Sequence, residues 1–198
     1  MLVGKAVAGI LASVATAVGV GLARGGGITL EQLRAVMPHL AASKAEEYLP
    51  LLNKAMRAGK ISTKPRRAAF LAQLAHESGE LRWAVEFADG TAYEGRTNLG
   101  NTQKGDGPRY KGRGWIQLTG RANYRAAGKA LGLPLEDKPE LAAEPAVAFQ
   151  VAVWFWNSRS LSQLADVGDF ENITRRINGG LNGYDARKMY HARALAAL

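Results

Sequence analysis

Two glutamates nine residues apart, Glu77 and Glu86 in "AHESGELRWAVEF" (Ala75 to Phe87), are the residues whose types and spacing most suggest chemistry. Glu77 falls three residues after Leu74 and seven after Phe70, on the stripe of a helix that otherwise faces a core. A carboxyl partly withdrawn from water holds its proton more tightly, as a general acid working near neutral pH must. Glu86 follows a glycine-containing break, so the chain can turn back and present it across a groove. One desolvated and one wet carboxyl is the pattern that cleaves glycosidic bonds. Helix-end glutamates are common, and the spacing by itself leaves a purely structural role open.

A second constellation is "YKGRGWIQLTGRANY", Tyr110 to Tyr124. Gly112 and Gly114 let backbone approach a ligand closely. Gln117 and Thr119 share a face if this piece is extended, Thr119 to hold a water and Gln117 an acetamido or hydroxyl group. Tyr110, Trp115, Tyr124 and Trp83 are candidate sugar platforms, although core or rim is the commoner place for such rings. His76 precedes Glu77, but a zinc-binding H-E-x-x-H helix needs histidine at position 80, which is Glu80. With only His39 and His191 besides, and no cysteine, neither a metal nor a cofactor is expected. The glycines of "GDGPRYKGRG" lack the strand-to-helix setting of a phosphate loop.

The elements that must position these groups fit one domain. The chain has 198 residues, 47% of them hydrophobic, enough for one sizeable core. Thr29 with Gln32 and Ser43 with Glu46 have capping-box spacing, and the second helix should run out at Gly59. Thr63 and Pro65 start a third helix that should stop near Ser78 and Gly79. Residues 80 to 118 read as a long irregular region with short strands around "YKGRGWIQLT", and long ordered loops are more often functional than not. Helical patterns return at Arg121 to Leu131, Pro145 to Asn157, Asp169 to Ile177, and from Asp185 onward. Ahead of all this, Ala6 to Ala23 is an uncharged run of 18 residues between Lys5 and Arg24, just long enough to span a bilayer. Rich in Ala, Val and Gly, it suits an extractable membrane signal. A cleaved signal peptide with Ala15-Thr16-Ala17 as its site, or a small-residue helix packed on the domain, are the other readings. The expected organisation is residues 1–27 as this segment plus a Gly-rich hinge, and residues 28–198 as the domain.

Taken together, "AHES" at Glu77, "YKGRGWIQLTGRANY", and "INGGLNGYDAR" from Ile177 to Arg187 resemble family 19 of the glycoside hydrolases, the plant-type chitinases and a branch of phage endolysins. The resemblance runs from about residue 28 to the end, and the order of the three motifs is more specific than any one. The short chain without cysteine is closer to the phage branch. The resemblance implies a mostly α, lysozyme-like fold with a central cleft and at most a small β element, and inverting hydrolysis of β-1,4 bonds between N-acetylated sugars. It makes Glu77 the general acid, Glu86 the general base with Glu94 in "AYEGR" as competitor, and Thr119 the hydroxyl that positions the water. Gln117, Asn123 and Asn178 match substrate-binding amides. Trp115 stands where the family often has proline, a departure that bears on local packing.

Substrate and location follow as expectations. A formal net charge of +9 favours an anionic partner, here the glycan strands of peptidoglycan. The N-terminal run resembles a signal-anchor-release segment that would carry a monomeric lysis enzyme through the host export machinery to the inner membrane or periplasm. A secreted chitinase is the alternative. Lys104, Arg109, Lys111, Arg113, Arg121, Arg125 and Lys129 interleave with aromatic residues, so a non-enzymatic binder of nucleic acid or envelope polymer stays open, although no nucleic-acid partner is expected.

Overall fold

The computed structural model describes residues 26–198. The apolar run Ala6 to Ala23 and its cleavage-site candidate lie outside the described residues. The chain is pinned from its first described turn. Gly27 lies against the Asn53 carboxamide, which accepts the Ile28 N–H and donates to the Ile28 carbonyl, both at 2.9 Å. No described helix is long and apolar enough to cross a membrane.

Local chemistry explains most of the helix starts. α1 (Leu30–Val36) opens with the expected capping box between Thr29 and Gln32. α2 (Ala42–Ala58) begins one residue before Ser43. Ala41 takes the cap position and its carbonyl accepts the Ala45 N–H, so Ser43 is already helical and the second expected box does not form. α3 (Lys64–Glu77) starts at Thr63, whose side chain accepts the Arg66 N–H, with Pro65 in its first turn. Its end falls at Glu77, with Ser78 as the C-cap.

Residues 78 to 120 hold two single-turn 3-10 pieces (Thr91–Tyr93, Thr97–Leu99) and the short α4 (Asp106–Arg109). The expected strands reduce, among the described residues, to two isolated antiparallel bridges, Val85 with Arg113 and Arg113 with Leu118. Then follow α5 (Arg121–Leu131), a 3-10 segment (Pro139–Ala143), α6 (Pro145–Ser158), α7 (Leu161–Asp166), α8 (Phe170–Asn178) and α9 (Tyr184–Ala197).

α6 buries Phe149, Val151, Ala152, Phe155 and Trp156 around its circumference, the signature of a central helix. α2 packs on one side of it, while α3 lies along α9. Trp115 belongs to this core and is no sugar platform. It is 1% exposed, with its ring 5.3 Å from Tyr48 and 5.7 Å from Phe149. The position that departs from the family pattern is thus filled by a large core side chain.

Candidate active site

Three residues past the last turn of α3 reverse the chain. Gly79, Glu80 and Leu81 are all left-handed, at φ 56°, 66° and 59°. Ser78 holds the reversal together: its hydroxyl donates to the Leu74 carbonyl (2.6 Å) and accepts the Leu81 N–H (2.8 Å). Its carbonyl accepts from the Arg82 and Trp83 amides (3.1 and 3.0 Å). The chain then runs back to the Val85–Arg113 bridge, where the Glu86 N–H donates to the Gly112 carbonyl (3.0 Å). One glutamate therefore ends a rigid helix, and the other is fastened to the loop opposite.

Each carboxylate has a different partner. Arg187, reaching over from α9, donates from Nη2 to Glu77 Oε1 at 2.6 Å. This guanidinium is 2% exposed and also donates to Gln73 Oε1 and to the Asn182 carbonyl. Gln73 in turn donates to Thr174 Oγ1 (3.0 Å), tying α3, α8 and α9 together behind Glu77. Glu86 Oε2 accepts from the Gly112 N–H (2.6 Å) and the Tyr93 hydroxyl (3.2 Å), two neutral donors that fix its orientation. Burial and the neighbouring Glu86 charge push the Tyr93 phenol up, so it stays protonated and able to donate.

Glu77 and Glu86 line one groove of about 330 Å3, together with His76, Trp83, Phe87 and Gln117. Trp83 is 46% exposed and Phe87 82%, with rings 5.0 Å apart edge to face, an apolar surface of the kind a sugar face covers. Phe87 had no assigned role in the sequence. An aromatic residue directly after Glu86 was the available signal.

Other candidates fall elsewhere. Gln117 lines the groove, but its φ of 52° breaks the extended piece, so it does not share a face with Thr119. Thr119 lies off the groove lining, its hydroxyl donating to the Gln117 carbonyl (2.9 Å). Asn123 donates to the Thr119 carbonyl (2.7 Å) and Asn178 to the Asn182 carbonyl (3.2 Å), so both brace loops beside the site. Tyr110 and Tyr124 are not substrate platforms. They are 1% and 0% exposed, with rings 5.4 Å apart and hydroxyls donating to the Glu136 and Lys111 carbonyls. Glu94 lies off the groove, its two oxygens accepting the Gly105 and Gly107 N–H groups (2.6 and 2.7 Å) ahead of and within α4. Several interleaved basic residues are likewise engaged. Arg121 pairs with Asp106, Arg125 with Glu136, and Arg113 donates to Tyr124 Oη, while the interleaved Tyr110, Trp115 and Tyr124 rings are buried.

Comparison with known proteins shows the family and the fold. The family model for class I chitinases of glycoside hydrolase family 19 matches residues 52–164. The chain belongs to that family. A Haemophilus influenzae protein with a family 19 domain is 45% identical over 101 residues, 50% of this chain and 48% of that one. An Arabidopsis thaliana endochitinase is 46% identical over 114 residues, 57% of this chain and 39% of that one. The chain thus spans about half the length, or less, of these curated relatives. A chitinase C variant of known structure superposes with a TM-score of 0.72 at 26% identity, covering 89% of this chain and 95% of that one. Chitinase C from Streptomyces griseus does so at 0.69 and 27%, covering 87% and 77%. The mostly helical, lysozyme-like fold of family 19 is the one observed.

A larger cavity of about 620 Å3 lies between α2 and α6 of this family 19 chain, lined by Leu51, Ala58, Val153 and Trp154 among others. It contains no carboxylate, so size does not locate the chemistry. Beside the smaller groove, Gly112 is constrained by Glu86. A methyl group there would collide with the Glu86 carboxylate and come within 2.7 Å of Gln117 Oε1. Gly112→Ala is expected to fold but to lower kcat by about tenfold to a hundredfold, the scale of an ångström-size displacement of a reacting group. Steady-state kinetics alongside circular dichroism checks this.

His76 supplies a pH dependence. Burial and the nearby Arg187 charge lower its pKa from 6.5 to about 4, so the folded protein holds it neutral. The unfolded chain binds the proton first, so stability present above pH 6.5 is lost as pH falls towards 4. His191 is lowered by burial in the same sense. Melting temperatures of wild type and His76→Gln between pH 7 and 4.5 should show a shallower acid decline in the variant. Equal slopes would remove His76 from this role.

Proposed function

We propose that this chain hydrolyses β-1,4 bonds between N-acetylated sugars with inversion, Glu77 acting as general acid and Glu86 as general base. The observation that carries the reading is that these two carboxyls line one aromatic-lipped groove. Arg187 occupies Glu77 Oε1, while Oε2 has no hydrogen bond within the described protein and is available to carry the proton. Glu86 spends Oε2 on its two donors and keeps Oε1 to take a proton from water. In the reaction, the water oxygen bonds to the anomeric carbon as Glu86 removes its proton. The bond to the leaving oxygen breaks as Glu77 protonates it, which inverts the anomeric centre. Glu77 ends ionised and Glu86 protonated, and exchange with solvent resets both. Thr119, Gln117, Asn123 and Asn178 are the groups that the family resemblance assigns to water and substrate, and among them Gln117 lines the groove.

The substrate we favour is the glycan of peptidoglycan, with the chain acting as a monomeric lysis enzyme. It would be exported and held at the membrane through residues 6–23 until release. Supporting this are the net charge of +9, which suits an anionic wall, and the uncharged N-terminal run. Chitin is the second reading, favoured by the relatives named as endochitinases and chitinases. Mass spectrometry of soluble products from peptidoglycan and from chitin oligomers separates the two. Muropeptides with intact reducing ends support the wall enzyme, products from chitin alone support the chitinase, and no product from either would overturn the glycosidase reading.

A further inference from the structure

We infer that Glu80 is a positioning residue for this reaction, locking the left-handed turn between Glu77 and Glu86 to α9 and to the α1–α2 connection and so setting the width of the groove. The inference rests on the glycosidase reading for what the groove does, but its geometry stands apart. Glu80 is 1% exposed, and a buried carboxylate is costly unless it is fully bonded. It also sits at φ 66° within three successive left-handed residues, where a non-glycine side chain is strained. A turn that merely had to reverse the chain would be served better by glycine.

The return on that cost is a set of three bonds to two distant elements. Oε2 lies 2.6 Å from the His39 N–H, while Oε1 lies 2.8 Å from His39 Nδ1 and 3.0 Å from the Tyr190 hydroxyl. His39 belongs to the α1–α2 connection and Tyr190 to α9. Tyr190 is one helical turn beyond Arg187, which holds Glu77. α9 therefore grips the segment twice, at the acid and three residues further on. Leu81 buries beside Glu80, but an apolar anchor can slide, whereas three hydrogen bonds fix direction as well as depth. The segment leaving the turn carries Trp83 and Glu86, so a shift of the turn moves the base and the aromatic lip relative to the acid.

The test compares Glu80→Gly, Glu80→Gln and Tyr190→Phe. Glycine relaxes the left-handed strain and so preserves folding while removing every bond of the latch. The expected result for Glu80→Gly is a kcat about tenfold to a hundredfold lower with KM little changed, and displaced Glu86 and Gly112 amide resonances in 15N-correlated NMR spectra. Glu80→Gln keeps one acceptor oxygen, for the His39 N–H, while its amide group can donate to the Tyr190 hydroxyl oxygen and to a neutral His39 Nδ1, and it should recover most of kcat. Wild-type kcat and unmoved amide resonances in Glu80→Gly would overturn the inference, because the turn would then hold without the carboxylate. If Glu80→Gly does not fold, Tyr190→Phe, which removes a single hydroxyl, carries the same readouts and should lose several-fold in kcat; unchanged values there would overturn it equally. Should wild type cleave neither peptidoglycan nor chitin oligomers, the glycosidase reading fails, while the amide resonances still decide whether Glu80 sets the groove.

Discussion

Glu77→Gln is expected to lower kcat by about 10²–10⁴-fold, the usual contribution of a general acid, in a protein that stays folded. The amide is nearly the same shape, so the groove keeps its contour and KM should change little. Arg187 decides the stability side. It is 2% exposed and retains Gln73 Oε1 and the Asn182 carbonyl, but loses the one carboxylate among the described residues with which it forms an ion pair. Replacing that charged acceptor by a neutral one should cost about 1.5–3 kcal/mol. Alanine would be the wrong choice, because a buried charge left without its partner costs about 3–5 kcal/mol and would confound lost chemistry with lost folding. Urea unfolding with single-turnover kinetics separates the two effects. A kcat within tenfold of wild type would remove Glu77 from the acid's role.

How much of this was legible in the sequence depends on how local the deciding interaction is. The caps at Thr29 and Thr63 and the apolar periodicity of α3, α5 and α6 are decided within a few residues, so the sequence shows them. α7 was missed because six residues from Leu161 to Asp166 are too short for periodicity to declare itself. The region after Glu77 resists for another reason. Glu80, Leu81 and Gln117 adopt left-handed backbone that their side chains do not advertise, and only distant partners justify it. Tyr110 and Tyr124 stand among glycines like platforms, yet both rings are buried side by side with their hydroxyls on the Glu136 and Lys111 carbonyls. Arg187 closes a quoted motif but was given no role, since an arginine on a helix ordinarily faces solvent. Only the packing of α9 along α3 turns it inward to Glu77. The order of the three motifs carried the family; the partner of each carboxylate had to come from the fold.

Glu86→Gln and Glu94→Gln should differ sharply, and the reason lies in their free oxygens. Glu86 leaves Oε1 open to the groove, and the glutamine carbonyl can still accept from Gly112 and Tyr93, so folding should survive while kcat falls by about 10²–10⁴-fold. Glu94 commits one oxygen to the Gly105 N–H and the other to the Gly107 N–H, fastening the 3-10 turn at Thr91–Tyr93 to the start of α4. Glutamine offers a single acceptor oxygen for those two donors. The loss is that of a weakened helix cap, about 1 kcal/mol, in a side chain exposed enough for water to replace the missing bond. Its effect on kcat should stay within a few-fold, transmitted through Tyr93, which lies in the fastened turn and donates to Glu86. Kinetics and melting temperatures of both variants test the assignment. A catalytic collapse in Glu94→Gln beside a near-normal Glu86→Gln would move the base to Glu94, and would require the loop from 90 to 107 to swing over the groove when glycan binds.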